Sequence, residues 1–331
     1  MSNPIRIVHI GLGPLGRMLG PYLTEKDHLQ VVGAVDVDPE KVGLDLGTAY
    51  NLDRPLDVAV GGSLDAGMMR DADVAVVTTV SDLSALLPTL EQAVNGGLNV
   101  VSTCEELAYP WDAEPELARG IDDLAKANRV SVLGTGVNPG FLMDFLPVAT
   151  TAVCRNVASI LIERIQDASL RRLPFRQKIG AGLSVEAFQE RVRNRQIRHV
   201  GLTQSMQMVA SRLGWRLERT EDIVEPVVAP AEVRGKDWSV QAGRATGVNQ
   251  TGRGYMDNRE VLTLVFRATV GEARPRDHIR IVGTPEVDLT FADGINGDVA
   301  TCSIVANAIP VIHRALPGLR TMVDVTPISA F

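Results

Sequence analysis

Glu105 and Glu106 stand side by side in Ser102-Thr103-Cys104-Glu105-Glu106-Leu107, directly after the apolar run Leu98-Asn99-Val100-Val101 and before Leu107, Ala108, Tyr109 and Pro110. Two neighbouring carboxylates among apolar residues would be like-charged and, if buried there, partly desolvated. Both conditions favour the protonated form, which suits such a carboxylate to moving a proton near neutral pH. If the pair ends a strand, alternation points one side chain towards a ligand and the other away. The same two residues could instead be acids stabilising a helix start through its dipole.

A second constellation lies at the N-terminus. Ile5 to Ile10 is a β-branched run that leads into Gly11-Leu12-Gly13-Pro14-Leu15-Gly16, then a helical stretch, then a second apolar run that closes on Asp36. A G-x-G-x-x-G loop between strand and helix, with an acid about twenty residues on, is the pattern that binds a dinucleotide. Gly11 makes the tight turn, Gly13 lets the backbone approach a pyrophosphate, and Gly16 allows close helix packing. Pro14 and Leu15 complete the candidate cofactor loop, and the helical stretch Arg17 to Leu23 that follows has unpaired N–H groups at its start that bind an anion without a basic side chain. Asp36 would accept hydrogen bonds from an adenosine ribose. Val37-Asp38-Pro39 follows it, with no arginine to pair a 2′-phosphate and a second acid to repel one, so NAD is expected over NADP. The alternative reading makes Asp36 an ordinary turn or cap residue.

The elements that must position these residues follow from the pattern. Up to residue 137, short apolar runs alternate with amphipathic ones, as in a parallel sheet covered by helices. Ala72 to Thr79, Leu98 to Thr103 and Val130 to Gly134 read as strands; Leu83 to Asn95 and Glu114 to Asn128 read as helices. This predicts an α/β fold: a Rossmann doubly wound parallel sheet over 1–137, with ligands at the carboxyl ends of its strands. Thr78, Thr79 and Thr103 at those ends are therefore cofactor candidates. After the Gly/Pro-rich junction 135–141 the texture changes to longer strands (156–165, 261–270, 279–282) and helices 184–195 and 203–213. This predicts a mixed α+β second domain over 138–331 for substrate binding and dimerisation, its last helix (about 298–313) packing back on the first domain.

Asn138 at the junction suits a polar contact to a nicotinamide amide or to substrate, or merely a connecting turn. Phe141, Phe145, Trp215 and Tyr255 are candidate apolar walls, or core. Arg164 and Gln166, at the end of the first strand of the second domain, are candidates for the substrate pocket, and Arg164 or Arg172 could supply a cation for a substrate carboxylate. His199 joins that set, although a lone histidine is more often structural.

Composition narrows the classes. The 331 residues carry a formal net charge of −7 without a long basic run, which argues against nucleic acid or an anionic membrane. No apolar stretch of about 18 residues occurs and no signal peptide opens the chain. Three scattered cysteines suit a reducing cytoplasm, and five dispersed histidines argue against a metal site.

Gly11 to Gly16, Ser102 to Leu107, Gly136-Val137-Asn138-Pro139-Gly140-Phe141, Asn296 to Thr301 and Asn307-Ala308-Ile309-Pro310 together resemble the native amine dehydrogenase and 2,4-diaminopentanoate dehydrogenase family over essentially the whole chain. The resemblance implies a Rossmann domain with a dihydrodipicolinate-reductase-like second domain. It also implies a homodimer and reductive amination of a small aldehyde or ketone with ammonia and NADH, reversible to oxidative deamination, NADP being the less favoured cofactor. It further implies an essential glutamate at the Cys-Glu-Glu position, Glu106 in preference to Glu105. The sequence departs from dihydrodipicolinate reductases, having no adjacent histidines, and from sugar dehydrogenases, lacking their Glu-Lys-Pro. A carboxylate in place of that lysine attracts an ammonium group that a lysine would repel. A 2,4-diaminopentanoate substrate is the alternative; a carbonyl reductase or hydroxy-acid dehydrogenase, and an NAD-binding sensor without turnover, are the more distant ones.

Overall fold

The computed structural model describes residues 3–330 except 170, 172 and 237, together with all their side chains but that of Pro174. The chain divides into two compact units, Met1–Phe141 with Asn296–Phe331, and Leu142–Ile295. The boundary expected after residue 137 thus falls after Phe141. The expected second domain, 138–331, stops at Ile295, and the C-terminal segment belongs to the first unit.

In the first unit, strands β1 (Ile5–Ile10), β2 (Leu29–Val35), β3 (Val60–Gly61), β4 (Val74–Val77), β5 (Asn99–Ser102) and β6 (Ser131–Gly134) are joined by a late strand, Gly318–Arg320. All neighbours run parallel, in the order late strand, β6, β5, β4, β1, β2, β3. This is the doubly wound order, and its reversal between β1 and β4 is where such sheets hold ligands. The strands are short apolar runs because both faces are covered: every residue of β4 and β6 is buried.

The helices of this unit are α1 (Pro14–Thr24), α2 (Leu46–Tyr50), α3 (Ala66–Asp71), α4 (Leu83–Asn95) and α5 (Pro115–Ala127). Helix α4 shows how sequence sets its bounds. Asp82 caps it by accepting from the Ala85 N–H at 2.8 Å. Leu83, Leu86, Leu90, Ala93 and Val94 form its buried stripe, and Gly97, at φ +79°, ends it. The last helix, Gly297–Ile312, is capped by Asn296 and lies against α1, β5 and β6.

In the second unit, helices α6 (Phe145–Thr150), α7 (Leu173–Lys178), α8 (Val185–Arg193) and α9 (Leu202–Arg212) accompany a mixed sheet. Its strands are β7 (Asn156–Asp167), β8 (Arg219–Val228), β11 (Ala245–Met256), β12 (Arg259–Thr269), β13 (Arg276–Thr284) and β14 (Val287–Ala292); the short strands β9 (Val233–Arg234) and β10 (Ser239–Val240) pair separately. The order is β14, β13, β7, β12, β11, β8, parallel at β7–β12 and antiparallel elsewhere. The last helix of the chain, Gly297–Ile312, is α10 and the late strand, Gly318–Arg320, is β15. One face of the sheet buries Ile160, Ile162, Leu262, Leu264, Phe266 and Ile279 beneath Leu202, Met206 and Val209 of α9. The other face carries Glu163, Val265, Thr251 and His278 in one cross-strand row. Strand β11 has weak strand chemistry, with Gly247, Gly252, Gly254 and Asn249. The glycine is required at 247, where a Cβ would lie 2.0 Å from the Ala268 carbonyl oxygen. No helix among the described residues is long and apolar enough to cross a membrane.

Candidate active site

The loop from β1 to α1 has the geometry its glycines require. Gly11 sits at φ +95°, and a Cβ on it would lie 2.7 Å from Thr79 Cγ2 and 2.8 Å from the Thr78 carbonyl oxygen. A Cβ on Gly16 would lie 2.1 Å from the Gly11 carbonyl oxygen. Gly13 is different: it is the N-cap of α1, no side chain caps the helix there, and nothing stands within 4 Å of where its Cβ would be. Pro14 fills the first helical position, where its missing N–H costs nothing, and Leu15 is half-buried behind it. Open space over an uncapped helix N-terminus fits a dinucleotide's pyrophosphate.

A buried relay fixes this loop. Thr78 Oγ1 donates to the Gly11 carbonyl at 2.5 Å, so it accepts from His9 Nε2, 2.9 Å away. That assigns the proton of His9 to Nε2, and Nδ1 accepts from the Tyr50 hydroxyl at 2.7 Å. Burial pushes His9 down from 6.5 to about 3, against a smaller opposing pull from Asp36, so the ring is neutral and keeps this tautomer. Thr78 therefore stabilises the turn at the β1/β4 reversal, and exposed Thr79 borders it. Sequence reasoning missed His9 and Tyr50; the signal was a histidine inside an otherwise apolar buried strand, which needs partners.

Asp36 directly follows β2 and is 8% exposed. Its Oδ2 accepts from the Leu12 N–H at 2.7 Å and its Oδ1 from the Asp38 N–H at 2.8 Å. Lys41 Nζ, which the sequence reading also missed, lies 3.1 Å from Asp36 Oδ2 and 3.3 Å from Asp38 Oδ2. Burial opposes the charge of Asp36, but the Asp38 and Leu12 N–H groups and the Lys41 ammonium outweigh it and hold the carboxyl below its ordinary value.

Glu105 and Glu106 are not the end of a strand. Strand β5 stops at Ser102, and Glu105, at φ −63° and ψ −39°, leads into a 3₁₀ turn over Glu106–Ala108. Alternation across a pleat therefore does not separate the two side chains. Glu106 Oε2 accepts from the Leu83 N–H, the first of α4, at 2.9 Å, while its own N–H donates to the Ser81 carbonyl at 3.3 Å. Cys104 Sγ reaches the same carbonyl at 3.1 Å. The segments after β4 and β5 are thus stitched together at the carboxyl end of the sheet, with the Thr103 N–H on the Val77 carbonyl at 3.0 Å. Gly134 of β6 permits the turn, since a Cβ there would lie 2.6 Å from the Leu107 carbonyl carbon.

The junction 136–140 folds tightly, with Gly140 at φ +132° and the Val137 N–H donating to Thr301 Oγ1 of α10 at 3.2 Å. Asn138 is half-buried in that turn, and Phe141 is the last residue of the first unit before the chain leaves it.

Phe145, Arg164, Gln166 and His199 belong to the second unit. The expectation that Arg164 receives a substrate carboxylate meets a different environment. It is 2% exposed, its Nη1 donates to Asp277 at 2.9 Å and its Nη2 to the Ile295 carbonyl at 3.1 Å. With its amide oxygen turned towards the guanidinium, Gln166 accepts from Nη2 and Nε of Arg164 at 2.5 and 3.2 Å. Burial lowers Arg164 and raises Asp277, and their mutual attraction opposes both shifts. The ring of His199 is stacked on Phe266 with ring centres 4.2 Å apart, its backbone N–H donates to Gln250 Oε1 at 2.6 Å, and burial pushes the imidazole down to about 3. It is a neutral packing residue. Phe145 opens α6, its N–H held by Asp144 at 2.6 Å. Tyr255, offered as an apolar wall, carries Arg219 over its ring at 3.6 Å. Arg172 lies outside the described residues.

Known proteins share this architecture and sequence. Residues 141–331 match the 2,4-diaminopentanoate dehydrogenase C-terminal domain. The chain is 33% identical to the 2,4-diaminopentanoate dehydrogenase of Acetoanaerobium sticklandii over 97% of its own length and 93% of that protein's. The chain belongs to the 2,4-diaminopentanoate dehydrogenase family. An amine dehydrogenase of Streptomyces virginiae is 27% identical over 52% of this chain and 49% of its own. The solved amine dehydrogenase of Mycobacterium smegmatis superposes with a TM-score of 0.84 at 25% identity, covering 99% of this chain and 97% of that one. The family match spans the whole second unit and the return through α10.

Proposed function

We propose that this chain is a nicotinamide-dependent amine dehydrogenase that interconverts a small amine with the corresponding aldehyde or ketone and ammonia, using NAD in preference to NADP. One observation carries the reading: in a member of this family, a carboxylate in the turn after β5 is held by the first N–H of α4, the helix that follows β4, the strand paired with β1. When bound, the nicotinamide dinucleotide supplies or removes the hydride. Gly11, Gly13 and Gly16 with Pro14 and Leu15 would form its phosphate loop, braced by Thr78 through the Gly11 carbonyl, Asp36 would accept from the adenosine ribose, and Thr79, Thr103 and Asn138 would line the nicotinamide end.

Glu106 is the acid/base. Its Oε2 is fixed by the Leu83 N–H, which pre-organises the group. In oxidation, Glu106 takes a proton from the substrate ammonium and releases it to solvent, the carbon loses hydride, and the regenerated carboxylate deprotonates the water that adds to the iminium and passes that proton to the leaving nitrogen. The resulting carbinolamine then loses ammonia. Overall, a protonated amine, NAD⁺ and water give a carbonyl, ammonium, NADH and one proton. The negative charge of Glu106 also stabilises the cationic iminium. The glutamine variants test the assignment: Glu106→Gln retains an oxygen for the Leu83 N–H, so kcat should fall about a hundredfold or more while NADH still binds. Glu105→Gln should fall far less; the reverse order would move the role to Glu105.

A second reading, oxidation of a 2,4-diamino acid, is favoured by the 33% relative. Engagement of Arg164 by Asp277, Ile295 and Gln166 supports a substrate without a carboxylate instead. The expected homodimer is retained, with the second face of the six-stranded sheet as its contact surface.

A further inference from the structure

We propose that Lys41 is the residue that determines how far this enzyme accepts NADP beside NAD, a step that rests on reading Asp36 as the acceptor for the adenosine ribose. The turn after β2 is built to return Lys41 to that site. The Lys41 and Val42 N–H groups both donate to the Asp38 carbonyl, at 2.9 and 3.2 Å, and Gly43, at φ +86°, lets its N–H reach the Val60 carbonyl of β3 at 2.8 Å. The ammonium so placed touches both acids, and its side chain retains 26% of its exposure.

Two consequences follow for a nucleotide. A carboxylate offers about four lone-pair sites. Three of those on Asp36 are occupied, by Leu12, Asp38 and Lys41. A ribose diol can therefore use both oxygens of Asp36 only where Lys41 yields its place on Oδ2. The second consequence is electrostatic. Asp36 and Asp38 alone present two negative charges to a 2′-phosphate, which would exclude NADP; with Lys41 the cluster is singly negative. Lysine is a point charge on a flexible stem with three rotatable donors, so it can exchange carboxylate for phosphate by side-chain rotation alone. Lys41 yields Asp36 Oδ2 to the ribose and keeps Asp38 when NAD is bound, and turns to the 2′-phosphate when NADP is bound. Val37, the residue between the two acids, is 89% exposed, so no apolar side chain there closes the space.

The test is equilibrium binding to the full chain, by calorimetry, of NADH and NADPH in turn, with Lys41→Met, Lys41→Arg and Asp36→Ala variants. The expected result is that Lys41→Met raises the ratio of the NADPH Kd to the NADH Kd about tenfold, equivalent to about 1.4 kcal/mol. Lys41→Arg should keep the ratio within about threefold of wild type, because a cation is retained. Added salt should weaken NADPH binding more in wild type than in Lys41→Met. A Lys41→Met ratio within about twofold of wild type would overturn the proposal, as would equal weakening of both nucleotides, which would make Lys41 a brace for the loop. Asp36→Ala separates this from the underlying reading. If it leaves NADH affinity unchanged, the ribose assignment itself fails; if NADH weakens there while the Lys41→Met ratio is unmoved, only the role of Lys41 fails.

Discussion

Glu106, Asp36 and His9 are charged or polar residues whose neighbours decide their chemistry. Two acid-labile groups follow from burial. His9 and His199 both sit near 3, below the ordinary 6.5 of the unfolded chain. As pH falls through about 6.5 the unfolded chain takes up protons that the folded chain refuses, so stability is lost on the acid side. The slope is at most about 1.4 kcal/mol per pH unit for each histidine. Urea unfolding should therefore give a lower free energy at about pH 5 than at about pH 7, and equal values would contradict the neutral, buried assignment. Arg164 yields a prediction of the opposite kind from its expectation as a substrate cation. Arg164→Met leaves Asp277 buried and unpaired, and should cost about 3–5 kcal/mol of stability. A variant of normal stability with a raised KM would restore the substrate role. The buried place of Arg164 was legible in its parity, because Ile160, Ile162 and Arg164 share one face of β7; the chemistry of arginine drew attention away from its spacing. Lys41 was legible too, three residues beyond Asp38, whereas Tyr50 was not, since only the folded register carries it to His9.

At the scale of elements, the loop between β1 and α1 separates two functions that the three glycines share in sequence. Gly13→Ala meets open space and should cost the fold no more than about 1 kcal/mol, yet place a methyl over the helix N-terminus and weaken NADH binding about tenfold or more. Gly16→Ala drives a Cβ against the Gly11 carbonyl and should cost about 1–3 kcal/mol besides. Melting curves and NADH titrations of both variants check the pair, and a Gly13→Ala protein that binds NADH normally would remove the pyrophosphate from this loop. The elements that sequence revealed are those with local signals: α4 matches its expected bounds because Asp82 and Gly97 punctuate it. Strand β11 went unseen because its glycines suit close packing against β12, a contact made by residues far along the chain. The Glu105–Glu106 segment was misread as a strand end because Leu98, Val100 and Val101 carry a strand signal up to it and nothing local marks the 3₁₀ turn.

For the whole molecule, the chain order explains why one reading of the domains was incomplete: the C-terminal α10 and β15 complete the first unit, so that unit is assembled from both ends of the sequence. The second unit offers its six-stranded sheet, one face buried under α9 and the other bearing Thr251, Val265, Glu163 and His278. If a second copy covers that face, light scattering should give twice the chain mass, and Val265→Lys should shift it towards the single-chain value; a wild-type monomer would reject the homodimer. The central claim concerns the reaction, and one assay addresses it most directly: NADH oxidation by the purified protein with small aldehydes, ketones and 2-amino-4-oxopentanoate, each with and without high ammonium at alkaline pH. Consumption is expected only where carbonyl and ammonium are both present, with simple carbonyls preferred over the amino acid. Consumption that proceeds without ammonium would contradict the central claim and make the protein a carbonyl reductase.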